Sequence, residues 1–278
     1  MVVIAWFRRR LRRNLPAVLA ATYIVLMLAV AAAPGLFAWQ DPYALNATSR
    51  LQPPSAAHFF GTDEVGRDVY ARVVHGTRLT LSLSLFVVVL SLAVGSVVGS
   101  FSGIAPRWAD ELIMRTTDIF LAFPQFVMAM AIVAAFSRSM LNAMLALAAI
   151  WWAQYARIVR AQVLVTRQES FVEAATALGR GRLAVLVREI YPNCLGPVIV
   201  RATLDMAGVI LTAAGLGFLG LGAQPPTPEW GAMISVGREN ILDQWWVAAV
   251  PGVAIFVVSL GFNLLGDGLR DVLDPKTT

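Results

Sequence analysis

The sequence predicts an all-α membrane protein with six transmembrane helices. Three observations carry this prediction. First, only 14% of the 278 residues are charged and 58% are hydrophobic, against about 25% charged in a soluble domain; mean hydropathy is +0.69. Second, six stretches of roughly bilayer-crossing length contain no Asp, Glu, Lys or Arg: 14–40, 79–106, 119–137, 139–156, 206–228 and 244–266. Third, the basic residues are unevenly placed between them. With the N-terminus inside, sixteen of the 22 fall on the cytoplasmic side and six outside, the bias that sets orientation in membranes.

The first stretch follows five arginines, Arg8, Arg9, Arg10, Arg12 and Arg13. It is longer than a signal-peptide core and offers no convincing small-x-small cleavage site, so it reads as a retained span. The loop 41–78 that follows is Pro-interrupted at first. Its second part, GTDEVGRDVYARVVHG, predicts a helix with Asp63 as N-cap and Val65, Val69 and Val73 on one face. Asp63, Arg67 and Asp68 read either as caps and local ion pairs or as a site. Asn46-Ala47-Thr48 matches a glycosylation sequon, a pattern common by chance.

In the second span Gly95, Gly99 and Gly103 repeat every four residues, a face that lets another helix approach closely. Pro124 predicts a kink in the third span, and Asp118 a cap at its cytoplasmic edge. Ser137-Arg138-Ser139 leaves a tight turn to the fourth span. The fifth span is expected to start near Pro197, which places Arg201 and Asp205 four apart on one face. After it, Gly215 to Gly222 and Pro225, Pro226 and Pro228 predict an irregular segment, either a packed turn or a wall of a water-filled path. Trp230, Trp245 and Trp246 suit the outer interface.

Between the fourth and fifth spans lies a charged island, 166–192. Phe171, Ala174, Ala175 and Leu178 fall on one helical face, opposite Glu169, Glu173 and Thr176. Two capping boxes fit its start, Thr166-x-x-Glu169 and Ser170-x-x-Glu173. Gly179-Arg180-Gly181 ends this helix. A second short helix puts Leu183, Leu186, Val187 and Ile190 on one face and is limited by Pro192. Each piece is about ten residues, too short to persist in water without docking.

Composition excludes several functions. The single cysteine, Cys194, rules out an intrachain disulfide, and two histidines leave no His-rich metal site. The only lysine, Lys276, lacks the glycines of a P-loop, so no Walker-type ATP site is present. The basic charge is gathered at span ends, which argues against nucleic acid. A secondary transporter would need ionisable residues within its spans, and only Asp118, Arg201 and Asp205 come near. An intramembrane hydrolase would need a base at depth, yet His58 and His75 fall in the outer loop.

The string EAATALG followed by REIYPN resembles the cytoplasmic EAA loop of binding-protein-dependent ABC transporter permeases. Glu173, Ala174, Ala175, Gly179, Ile190 and Pro192 sit on that pattern, with Tyr191 replacing the usual Leu. Gly61, Thr62, Asp63, Gly66, Arg67 and Asp68 resemble a motif of the dipeptide and oligopeptide branch, as do the segments around 215–234 and 262–275. The resemblance implies a C-type subunit with the type I ABC importer permease fold, in the cytoplasmic membrane, with both termini cytoplasmic. It implies residues 1–78 as tail, first span and external loop, and 79–278 as a five-helix core. It also implies a second homologous permease, two ATP-binding subunits that hold ATP and Mg, and an external substrate-binding protein. This chain itself would bind no cofactor. Ser170, Phe171, Glu173, Ala174, Ala175 and Gly179 would meet the ATPases. The cargo would be peptides, with nickel chelates or haem as the alternative.

Overall fold

The computed structural model describes residues 15–273, and apart from one antiparallel bridge between Thr62 and Asp68 the regular elements among them are helical. The five N-terminal arginines and Lys276 lie outside the described residues. Helix α1 (Leu15–Ala32) is shorter than the apolar run it occupies. Pro34 follows in a 3-10 turn, where its missing N–H cannot extend the helix.

Helix α2 (Val69–Ile104) is 36 residues long and starts at Val69, not at the residues after Asp63. Its N-cap is Asp68, whose Oδ1 accepts from Ala71 N at 2.7 Å. Val65 is therefore not helical. Residues 78 and 79 lie inside this unbroken helix.

The third stretch is two helices, α3 (Arg107–Ala122) and α4 (Gln125–Ala135), set at 89°. Pro124 does more than kink it. The residue before proline is pushed to extended backbone, and Phe123 adopts φ −86, ψ 143. Helix α5 (Met140–Thr166) begins at Ser139, whose hydroxyl accepts from Asn142 N. It runs ten residues past the expected end, carrying Arg157 and Arg160.

After the charged island come α6 (Ser170–Ala177), α7 (Arg182–Val185), a π-turn at Leu186–Ile190, and α8 (Tyr191–Phe218). Helices α9 (Trp230–Gly237) and α10 (Trp246–Leu273) complete the chain. Four helical stretches are long and apolar enough to cross a membrane, Leu15–Ala32, Val69–Ile104, Arg182–Phe218 and Trp246–Leu273, and the bent pair α3–α4 makes a fifth if it is one span. The fourth expected span, 139–156, corresponds to α5, which has the length at 27 residues but carries Asn142, Gln154, Arg157 and Arg160.

The glycine stripe does what its spacing predicts. A Cβ on Gly95 would sit 2.4 Å from Tyr155 Cβ and 2.5 Å from Trp152 O, and one on Gly99 2.3 Å from Ala156 O. Only bare backbone lets α2 and α5 lie this close. Helix α8 packs on α10, and α10 on α1. Val87, Leu147, Ile150, Ile210, Leu216 and Val258 fill the interior. Val25, Val97, Leu211 and Phe256 remain exposed on outward faces, which suits lipid rather than water.

Candidate functional site

Helix α6 is eight residues long and stands almost alone in sequence between two turns. Its N-cap position is Glu169, with no side-chain cap, so neither capping box forms. Thr166 instead ends α5, buried, with its hydroxyl 3.8 Å from Cys194 Sγ. Ser170 is the first helical residue. Glu173 sits in the first turn, where the helix dipole favours a negative charge.

Val172 and Ala175 fix which way α6 faces. They are 5% and 7% exposed and pack in an apolar cluster with Val159, Val163, Leu186 and Ile190. The expected face was therefore turned by about one residue. Ala175 belongs to the docked side, held by Val172, which the sequence reading missed. The outward stripe is Phe171, Ala174 and Leu178, with Phe171 41% and Leu178 82% exposed.

The corner after α6 is a full Schellman motif. Arg180 N donates to Ala175 O at 3.3 Å and Gly179 N to Thr176 O at 3.0 Å. Gly179 has φ +82, the left-handed conformation this motif needs. Gly181, with φ −65, then starts α7. Arg180 Nη1 donates to Glu189 Oε1 across the corner.

The second short helix is not separate. From Arg182 the chain is helical without interruption to Phe218, a stretch of 37 residues. The π-turn is what carries it past Pro192. Tyr191 N reaches back five residues to Leu186 O, and the wider turn accommodates a ring that would clash in α geometry. One extra residue per turn also shifts the register. Val185, Leu186, Ile190, Cys194 and Val198 are buried, while Leu183 and Val187, expected on the inner face, are 68% and 58% exposed. The fifth span thus starts well before Pro197, which lies inside α8.

Ion pairs tie together the helices beside this island, and a hydrogen bond from Arg167 ties the island itself to α2. Asp110 of α3 accepts from Arg160 Nε at 2.5 Å and Nη2 at 2.6 Å. Arg167 Nη1 donates to Gly103 O at 3.0 Å. Asp118 pairs with Arg157 at 2.5 Å. Arg201 and Asp205 pair as expected, at 2.9 Å, and Arg201 also donates to Gln154.

The motif at 61–68 is a buried knot, so capping and local pairing account for it. Asp63 Oδ1 accepts from Val65 N at 3.0 Å and Arg67 N at 2.9 Å, and Oδ2 from Arg67 Nε at 2.6 Å. Asp68 Oδ2 meets His58 Nδ1 at 2.8 Å. Thr62 Oγ1 donates to Ser49 O and accepts from Gln52 N. Gly66 has φ +80, and a Cβ there would lie 1.8 Å from Asn46 O. Gly61 passes against Trp246. Arg72 was not singled out from sequence. It is buried, lies 3.6 Å from Asp63, and donates to Pro42 O and Pro226 O.

Trp230 and Trp246 are core residues, 1% and 7% exposed, not interface anchors. Their indoles donate to Val73 O and Thr62 O. Trp245 is exposed. Glu229 caps α9 by accepting from Gly231 N at 2.8 Å and Ala232 N at 2.7 Å. Burial pushes its carboxyl above the ordinary value, and these two N–H groups partly offset that.

Residues 95–278 match the family model described as "Binding-protein-dependent transport system inner membrane component". The chain is 49% identical over 259 residues to a probable D,D-dipeptide transport system permease protein, DdpC, of Escherichia coli (strain K12), covering 93% of this chain and 87% of that one. It is 44% identical over 268 residues to the dipeptide permease DppC of Alkalihalophilus pseudofirmus, covering 96% and 88%. It is 40% identical over 275 residues to the glutathione permease GsiD of Escherichia coli O6:K15:H31, covering 97% and 89%. Among solved structures, an inward-facing MetNI methionine ABC transporter chain superimposes with TM-score 0.60 at 17% identity, over 73% of this chain and 96% of that one. An amino acid ABC transporter chain gives 0.56 at 16% identity, over 71% and 92%.

Proposed function

The chain belongs to the binding-protein-dependent transport system inner membrane component family, and from that premise we propose that it is the C-type permease subunit of an ATP-driven importer of small peptides. The names of its relatives, at 40–49% identity over nearly the whole chain, favour dipeptides and related peptides over nickel chelates or haem. The fold is that of the type I ABC importer permeases, all α and membrane-spanning.

The observation that carries the mechanism is the outward stripe of α6. Phe171, Ala174 and Leu178 face away from the chain that holds the helix, and an exposed apolar stripe on a docked helix is a surface for a partner. The partner is one of two ATP-binding subunits, which hold ATP and Mg. The Glu173 side chain, with no hydrogen bond or ion pair among the described residues, is free to contact that subunit. Ser170 borders the same surface, while Ala175 and Gly179 set its height and angle.

A second homologous permease completes the pathway, and an external substrate-binding protein delivers peptide to it. Closure of the ATPase pair moves α6. Its docking on the helix that begins at Arg182 passes the movement into the spans, which alternate access between the two sides of the cytoplasmic membrane. Both termini and the island face the cytoplasm in this reading.

Reconstitution tests it. Proteoliposomes with both permeases, both ATPases and the binding protein accumulate labelled dipeptide only with ATP. This chain alone hydrolyses none; robust hydrolysis by it alone overturns the reading. Orientation is checked separately in a Cys194→Ala background. Gln52→Cys labels from outside and Gly181→Cys only from inside, and external labelling at 181 reverses the topology.

A further inference from the structure

Beside α6 lies a cavity of about 470 Å³ between the end of α2 and the corner of the island. Its walls have two characters. Ile104, Val172 and Val185 give it an apolar side, and Arg167, Arg180 and Arg182 give it a cationic one. Its depth is set by Ile104, the last residue of a membrane-crossing helix. The cavity therefore lies at one end of a helix long and apolar enough to cross a membrane.

The arginines are not equally occupied. Arg180 is paired with Glu189. Arg167 donates one N–H to Gly103 O and makes no ion pair among the described residues. The acid within electrostatic reach of it, Asp110, is engaged by both nitrogens of Arg160. Arg182 is exposed, and its side chain has no ion pair or hydrogen bond among the described residues. Two guanidinium groups thus carry charge into the cavity without an ion pair among the described residues.

We propose that this cavity binds the phosphate of an acidic phospholipid from the adjacent leaflet. Guanidinium forks match phosphate oxygens, and basic pockets at the cytoplasmic side of spans suit such headgroups. The apolar side decides between a lipid and a free anion. Free phosphate satisfies only the arginines, whereas a phospholipid places its glycerol and first methylenes against Ile104, Val172 and Val185. The leaflet is the inner one if the island is cytoplasmic, as proposed above; binding itself does not depend on that orientation or on transport.

The test uses the assembled transporter in nanodiscs of phosphatidylcholine with phosphatidylglycerol, with phosphatidylglycerol retained after extraction counted by mass spectrometry. R182Q disturbs no contact described for this chain, and retention is expected to fall about fivefold; R167Q/R182Q extends the loss to about 25-fold. R188Q, an exposed arginine outside the cavity, retains the wild-type amount. Equal retention in R182Q and wild type overturns the proposal, as does an equal loss in R188Q, which marks general surface charge. Displacement of the phosphatidylglycerol by inorganic phosphate also overturns it and assigns the cavity to a free anion. No arm needs ATP or peptide, so a failed lipid site and a failed transport reading are told apart.

Discussion

Gly179→Val isolates the role of α6, because the structure separates backbone from packing there. Nothing lies within 4 Å of a Cβ built at Gly179, so added bulk meets no neighbour. What it meets is its own backbone, at φ +82. An L-residue in the left-handed region costs about 1–2 kcal/mol, and a β-branched one more. Against this stands a small anchor. Of the eight residues of α6 only Val172 and Ala175 are buried, and burying one Val and one Ala contributes about 2–3 kcal/mol. The substitution therefore removes about half or more of what seats the helix, a shift of about tenfold or more in the docked population. Gly181→Val is the control: the site is equally open, with φ −65. Gly179→Asn restores a residue that tolerates the left-handed region. The assay is the stoichiometry of co-purified ATPase, with ATP hydrolysis and peptide uptake on the same preparation. Gly179→Val should still insert and pair with its partner permease, yet lose ATPase or hydrolyse without uptake, while Gly181→Val and Gly179→Asn stay near wild type. Wild-type coupling in Gly179→Val, with normal stoichiometry, would refute the reasoning.

Three further outcomes follow from the packing. Gly95→Ala forces a methyl within 2.4–2.9 Å of Tyr155, Trp152 and Ala156; overpacking of about 1–3 kcal/mol should lower the thermal midpoint, whereas Gly252→Ala, whose Cβ neighbour is 3.9 Å away, should not lower it. Asp63→Asn leaves the buried Arg67 guanidinium without its main counter-charge and should cost about 3 kcal/mol, read as early proteolysis of the loop 41–68; Glu64→Gln, on a half-buried partner, should cost under about 1 kcal/mol. Glu229 has a raised carboxyl, so the folded state keeps its proton to higher pH than the unfolded chain does. Its contribution is full below the ordinary value of 4.5 and is lost as pH rises through the raised value. Thermal unfolding from pH 4 upward should show this decline, and Glu229→Gln should flatten it.

Much of the bundle was legible because its signals are local. The four-residue spacing of Gly95, Gly99 and Gly103 needs no knowledge of what packs on it, and the absence of charge over 244–266 implies a span whatever surrounds it. Gly179 was legible for the same reason, since a glycine after a helical run has few other uses. The misreadings share a different cause. The inner face of 182–190 was assigned with an α period, and a π-turn, which no residue type announces, rotated it. Asp63 and Asp68 are both good caps; long-range partners decide between them, since Arg72 lies against Asp63 and His58 meets Asp68. Trp230 and Trp246 resemble interface residues until Val73 O and Thr62 O are placed beside their indoles. Val172 lay outside the one apolar face read for α6, Phe171, Ala174, Ala175 and Leu178, and only the partner surface, Val163 and Ile190, shows that it points inward.

The uninterrupted helix from Arg182 to Phe218 puts the charged island and the far end of the bundle on one element. At about 1.5 Å per residue its 37 residues make a rod of about 55 Å. A tilt of about 10° about its midpoint carries each end about 5 Å, in opposite directions. Had Pro192 broken the chain into two helices, as its position invites, a push at one end would be absorbed in the joint. With the π-turn bridging it, a tilt of this helix as one body would carry Arg182 and Phe218 in opposite directions, the pairing of movements that an alternating-access pathway requires.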